Sequence, residues 1–400
     1  MNSRIFIIEM FIFLFTAVFL TNCQSPPAPH TSNPSPTNQP TATQTPTETQ
    51  TVPQTAVSTP APSPTAIPAA TQIILTPPPT PVPTIEGLIG PNTFPENINP
   101  LTGISMDEAS LGRRPLAIKI SNAPPIVRPQ AGLNQADLVF EHVAEGGFTR
   151  FTAVFYTHDV ERVGSIRSAR LIDLEIPKMY DAAFAYSGSA GPVRLRLQDS
   201  EFYDRIISPD FAHGGFERIE IEGVAPTHTL FTNTYNLRHI LGLREQDVAP
   251  NFANYMTFRD SPITQGEPAT RIELWYGATN ATWFYGNGRY LRWTDGETHL
   301  DANTSTQLSF KNIVVVAANH VDTDIFEDTN NNPSIEIQIW GTGPVSIFRD
   351  GQRFNGSWKR DHPNHMLTFY DSIGNPLPLS PGNTFFQIVP LGFDQLNVTP

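Results

Sequence analysis

Residues 133–158 read LNQADLVFEHVAEGGFTRFTAVFYTH, and the fold turns on how this stretch divides. Its last part, Arg150–His158, alternates apolar and polar side chains as a half-buried strand does. Its first part, Ala136–Glu141, suits either a strand or a short helix. Between them stands Gly146-Gly147, free to take backbone conformations that other residues avoid. Upstream, RPLAIKISN (Arg114–Asn122) alternates through Leu116, Ile118 and Ile120 and predicts a strand, which APPIVRPQAG then breaks. Downstream, SARLIDLEIPKMYD begins as a helix with Leu171 and Leu174 on one face, kinked or ended at Pro177. FAYSGSAG reads as a buried strand feeding a glycine turn, and helices are expected around VRLRLQDSEFYDRI and TNTYNLRHILGL. Interleaved strand and helix signals make residues 85–250 a mixed α/β domain.

From about Arg271 the character changes. Short runs rich in β-branched and aromatic residues are separated by Gly-Asn, Asp-Gly and Pro-Gly turns at hairpin spacing. They predict a β-rich domain over 265–400, about seven to nine antiparallel strands in a sandwich or open barrel. The fold class expected for the whole is α+β. Trp293, Trp340 and Trp358 are expected in or against this β core; a glycan-stacking platform is the alternative for such rings.

The N-terminal residues concern address rather than fold. An apolar run, Phe11–Leu20, is too short to span a bilayer comfortably and fits a signal peptide. Directly after it stands Cys23, the only cysteine of the chain. Residues 1–23 are therefore expected to be a lipoprotein signal with Cys23 as the lipid-attachment residue. An uncleaved anchor or an ordinary secretory signal is the alternative, since Asn22 precedes the cysteine and Glu9 lies near the run. Residues 24–84 are dominated by proline and threonine, with Glu48 the only charge, and cannot bury enough apolar surface to fold. They predict a disordered stalk, roughly 45 Å across as a coil and about 190 Å as polyproline II. The expected location is the extracytoplasmic face of the membrane, lipid-anchored, with the head held away. The net charge of −13 argues against a nucleic-acid partner.

Against that acidic background, Arg150, Arg162, Arg167 and Arg170 fall close together. One reading makes Gly146, Gly147, Arg150, Arg167, Ser168 and Arg170 a ligand site. Glycine backbone N–H groups, an arginine fork and a helix start capped by Ser165 or Ser168 would hold an anion. The other reading is structural, with the arginines paired to Glu141, Glu145, Asp173 or Glu175. Glu141, Glu145 and His228 are the acid–base candidates if they share a cleft with the arginines. YSGSAG lacks the Gly-x-Ser-x-Gly elbow, and no zincin, EF-hand, Walker or dinucleotide motif occurs. No cofactor and no metal are expected; Asp322–Asn332 reads as an acidic hairpin loop or a loose calcium ligand set. Two functions stay open. One is a binding module for an anionic glycan, a phosphate-containing ligand or an envelope protein. The other is a hydrolase or transferase acting on an envelope glycan or phosphodiester.

NPLTG (Asn99–Gly103), RPLAIKISN, RPQAGLNQADLVFEHVAEGGFTRFTAVF, VGSIRSAR, SGSAGP and APTHTLFTN resemble, in order and spacing, the motifs of the YerB-like lipoproteins. The second half is similar to that family's C-terminal part through GTGPVSIFRDGQRFNGSW and LSPGNTFFQIVP. The resemblance covers nearly all of 85–400. It implies a membrane-anchored extracytoplasmic protein with a mixed α/β domain and a β-rich domain, and no particular activity. This chain has Pro226-Thr227-His228 where the family often has Pro-His-Asn, which shifts the histidine by one place.

Overall fold

The computed structural model describes residues 86–400. The expected signal segment, Cys23 and the stalk lie outside the described residues. Among the described residues no helix is long and apolar enough to cross a membrane.

Three strands organise the first half: β1 (Leu116–Ser121), β2 (Leu138–Val143) and β3 (Thr149–Phe155). The ambiguous run before the double glycine is thus a strand. β2 and β3 pair antiparallel, with Glu141 opposite Phe151 and His142 opposite Arg150. The turn between them needs its glycines, because Gly146 and Gly147 sit at φ 67° and 75°. β1 pairs antiparallel with the other edge of β3, placing Lys119 opposite Thr152. Two short parallel strands, Ala183–Ala185 and Ile206–Ile207, extend the sheet beyond β1.

The sheet does not stop at the end of the first half. Beyond β2 it continues through Thr384–Pro390, Asn312–Phe326, Gly341–Arg349, Gln352–Arg360 and Thr368–Tyr370. Thr384–Pro390 is the junction: it runs parallel to β2 on one side and to Asn312–Phe326 on the other. This corrects two expectations. Only part of the second half forms a sheet of its own, the other strands joining the sheet of the first half, and they are not all antiparallel. The reason lies in TFFQIVP, whose residues Thr384 to Val389 are all buried. A strand apolar on both faces needs neighbours on both edges and layers on both sides. The described residues accordingly belong to one compact unit.

One face of the large sheet carries Phe140, Phe386, Leu171, Ile172, Met179 and Trp358 in a single apolar cluster. The expected helix after Arg170 is broken into a 3-10 turn, Leu171–Leu174, and a short α-helix, Ile176–Met179, with Pro177 at its start. The other expected helices are Gly191–Gln198 and Thr234–Leu243; Asn233 caps the latter by accepting from Asn236 N at 2.7 Å. On the opposite face a smaller sheet, containing Arg271–Trp275, Asn280–Gly286 and Arg289–Thr294, buries Trp283 against Phe385 and Phe310. The protein is α+β with a β-rich C-terminal part. The tryptophans divide. Trp358 is buried and Trp293 half-buried, but Trp340 is 44% exposed because it follows the last paired residue of its strand, Gln338.

Candidate functional site

Strand alternation sends neighbouring residues of β2 to opposite faces. His142 shares its face with Arg150 and Thr152 of β3 and Lys119 of β1, and these form a buried polar layer. Lys119 Nζ lies 2.7 Å from Asp173 Oδ2, and it donates to His142 Nε2 at 2.6 Å and Thr152 Oγ1 at 3.1 Å. His142 Nδ1 is 3.0 Å from the Val143 carbonyl, so Nδ1–H donates there and the Nε2 lone pair accepts from the ammonium. Burial, and then the Lys119 charge, hold His142 well below its ordinary pKa, consistent with a neutral ring. Burial also pushes Lys119 down to about 8, against the pull of Asp173.

Asp173 ties this layer to the arginines. Its Oδ2 accepts from Arg170 N at 2.7 Å, capping the turn that Ser165 or Ser168 was expected to cap. That turn is four residues long and offers no anion site of its own. Arg170 grips Glu145 with two nitrogens, Nε at 2.9 Å and Nη2, and its Nη1 stands 3.2 Å from Glu327 Oε2. Arg150 donates to Glu145 Oε1 at 2.6 Å and to the Ser168 carbonyl at 3.0 Å. Both arginines are buried. Burial works to raise the Glu145 pKa, but Arg150 and Arg170 outweigh it and hold the carboxyl at about 2. Burial and the charge of Arg170 push Arg150 down to about 9. Two of the three arginines are therefore a lock.

Arg167 is different. It is half-buried, donates to the Thr227 carbonyl at 3.2 Å, and has no carboxylate partner among the described residues. It borders a cavity of about 210 Å³ that is also lined by Ala123, Pro124, Ala144, Phe148, Thr149, Glu145 and Arg150. Phe148 is 44% exposed there.

The other expected site residues are placed as follows. Gly146 and Gly147 do not line the cavity. The Gly147 carbonyl accepts from Ala278 N, and a Cβ on Gly147 would meet Ala278 N and the Tyr276 carbonyl at 3.1 Å. The glycine is needed for that close backbone approach, not for a cavity floor. Ser168 contributes its carbonyl to Arg150. Arg162 lies apart from the cluster, against Ala302 and over the Phe231 ring. Glu141 faces the opposite side of the sheet, fully buried, with Arg292 Nη2 at 2.8 Å and Thr149 Oγ1 at 2.7 Å on its oxygens. It cannot share a cleft with the arginine cluster. His228 sits in the turn Pro226–His228 beside Thr227, which holds Arg167; burial and then the Arg167 charge lower its pKa.

Sequence reasoning missed Lys119, His142, Arg292, Phe148 and Glu327. Lys119 had a signal: a lone charge inside the apolar run LAIKI, on a strand buried throughout. Glu327 had none, because it arrives from the end of Asn312–Phe326 in the other half of the chain. The loop it opens is an acidic hairpin connection, ordered by Asp328, which accepts from Asn330 N and Asn332 N.

Comparison with known proteins places this geometry in a family. Residues 101–248 match the family described as "Protein of unknown function (DUF3048) N-terminal domain", and residues 271–386 match its C-terminal domain. The chain is 29% identical over 308 residues to the Bacillus subtilis (strain 168) protein described as "Putative lipoprotein YerB", covering 75% of this chain and 88% of that protein. The crystal structure of YerB from Bacillus subtilis matches with a TM-score of 0.64 at 25% identity, covering 76% of this chain and 99% of that one. With both domains in order and a solved relative of the same fold, the chain belongs to the YerB-like DUF3048 family.

Proposed function

We propose that this chain is a membrane-anchored extracytoplasmic lipoprotein, held by lipid on Cys23, whose N-terminal part binds a small anionic envelope ligand beside Arg167. The anchor is supported by the apolar run ending at Leu20, by the single cysteine directly after it, and by the description of the relative as a lipoprotein. The observation that carries the binding reading is the unequal pairing of the arginines. Glu145 and Glu327 engage Arg150 and Arg170, whereas among the described residues Arg167 meets only a carbonyl and borders a cavity. An unpaired guanidinium with most of its donors free is suited to a carboxylate or phosphate. Arg167→Ala should abolish anion binding in calorimetric titration and leave the melting temperature near wild type. Retained binding in that variant would refute the reading. Cys23→Ser should move the chain from the membrane to the soluble fraction; unchanged membrane retention would make the N-terminal segment itself the anchor.

A hydrolase or transferase is the second reading, favoured by one observation. His228 stands next to the residue that holds Arg167, and its Nδ1 has no hydrogen-bond partner among the described residues. Glu145 is a poor acid in that scheme, because two arginines keep it ionised. His228→Ala separates the readings: it should abolish turnover of an envelope phosphodiester or glycan if there is chemistry, and leave binding intact if there is none.

A further inference from the structure

Resting on the anion-binding reading above, we infer that the cavity beside Arg167 takes a compact monocarboxylate with an apolar body, in preference to a phosphate dianion. Charge pairing comes first. Asp173 offsets Lys119, while Glu145 and Glu327 together offset Arg150 and Arg170. Among the described residues Arg167 alone is left over, so the cluster has a surplus of a single positive charge. A monoanion neutralises it. A dianion would leave an unmatched negative charge beside Glu145, which belongs to the same lining, and an uncompensated charge in a partly buried place is costly.

The walls point the same way. Apart from the charged groups and Thr149, the cavity is lined by Ala123, Pro124, Ala144 and Phe148. Phosphate alone would leave the Phe148 ring uncovered, whereas a ligand with a ring or acyl body buries it. The volume of about 210 Å³ sets the size. That is room for a headgroup and one small ring. Arg167 supplies the planar fork that a carboxylate engages with two parallel hydrogen bonds.

Benzoate and phenyl phosphate test this, because they share the same ring and differ in headgroup charge; the phosphate monoester is largely dianionic at neutral pH. Both are titrated into the full chain in detergent at neutral pH, with inorganic phosphate and acetate as probes lacking the ring. Benzoate should bind at least about tenfold more tightly than phenyl phosphate, about 1.4 kcal/mol. Arg167→Gln should abolish benzoate binding at unchanged melting temperature. Phe148→Ala should weaken benzoate several-fold without altering the weak binding of acetate. Phenyl phosphate binding as tightly as benzoate, with dependence on Arg167, would overturn the carboxylate assignment and leave the anion site standing. Absence of any Arg167-dependent binding would overturn both.

Discussion

The two faces of β2 make the most instructive comparison in the molecule. Glu141 and His142 are neighbours in sequence, yet each belongs to a different buried polar network. On the Glu141 side the charges pair off. Arg292 pairs with Glu141 at full burial, its guanidinium lies over the Trp283 and Phe385 rings, and Asn122 and Thr149 complete the carboxylate's partners. Gln130 links on through His299 to Thr294. On the His142 side the pairs continue outward from Lys119 to Asp173, Arg170 and Glu145, and end at Arg167, which makes no ion pair among the described residues. The closed network joins the two halves of the chain; the open one joins them too, through Glu327, but keeps a charge facing a cavity. Buried polar residues are thus not a sign of function in themselves. The residue left over after pairing is where we propose the ligand binds.

This contrast can be broken by mutation. Arg292→Ala should have the largest effect, about 3–5 kcal/mol of lost stability, because it strands Glu141 without charge compensation in the core. Denaturant unfolding would measure it, and ligand binding by the folded fraction should be unchanged. Arg170→Ala comes next, at about 3 kcal/mol, since Glu145 and Glu327 both lose their shared partner. A variant that melts like wild type would mean the pair is no lock.

The third effect is a pH dependence. Folded Glu145 titrates near 2, below its ordinary value of 4.5, so the unfolded chain binds the proton first. Its stabilising contribution is fully present above pH 4.5 and is lost as pH falls from there towards 2. Glu145→Gln should flatten that part of the stability-against-pH curve; an equally steep acid limb would contradict the assignment. The smallest effect on stability should come from Arg167→Ala, within about 0.5 kcal/mol, because its hydrogen bond to Thr227 is the partially exposed kind. A large loss of stability there would place Arg167 in the lock with its neighbours.

Much of the local structure was legible. RPLAIKISN and RFTAVFYTH show their strand period plainly, and the helix at Thr234–Leu243 has its Asn233 cap in the sequence. The arginine cluster was visible too, because four arginines within an acidic chain are conspicuous. Its division into lock and free residue was not, because pairing depends on which carboxylates arrive from elsewhere. Glu145 is near in sequence and was among the expected partners. Glu327 is remote, and Glu141, also among the expected partners, is turned away by the alternation of the strand that carries it.

By itself the sequence determined most of the elements, the family motifs and the acidic, single-cysteine character of the chain. These depend on short-range pattern and composition, which a linear reading contains in full. Only the tertiary structure decided that Thr384–Pro390 enters beside β2 and makes one sheet of two halves, and that Arg150 and Arg170 are neutralised while Arg167 is not. Strand neighbours and ion pairs are set by contacts between distant residues. A carboxylate's effect on a guanidinium falls off with separation in space, whatever the distance along the chain.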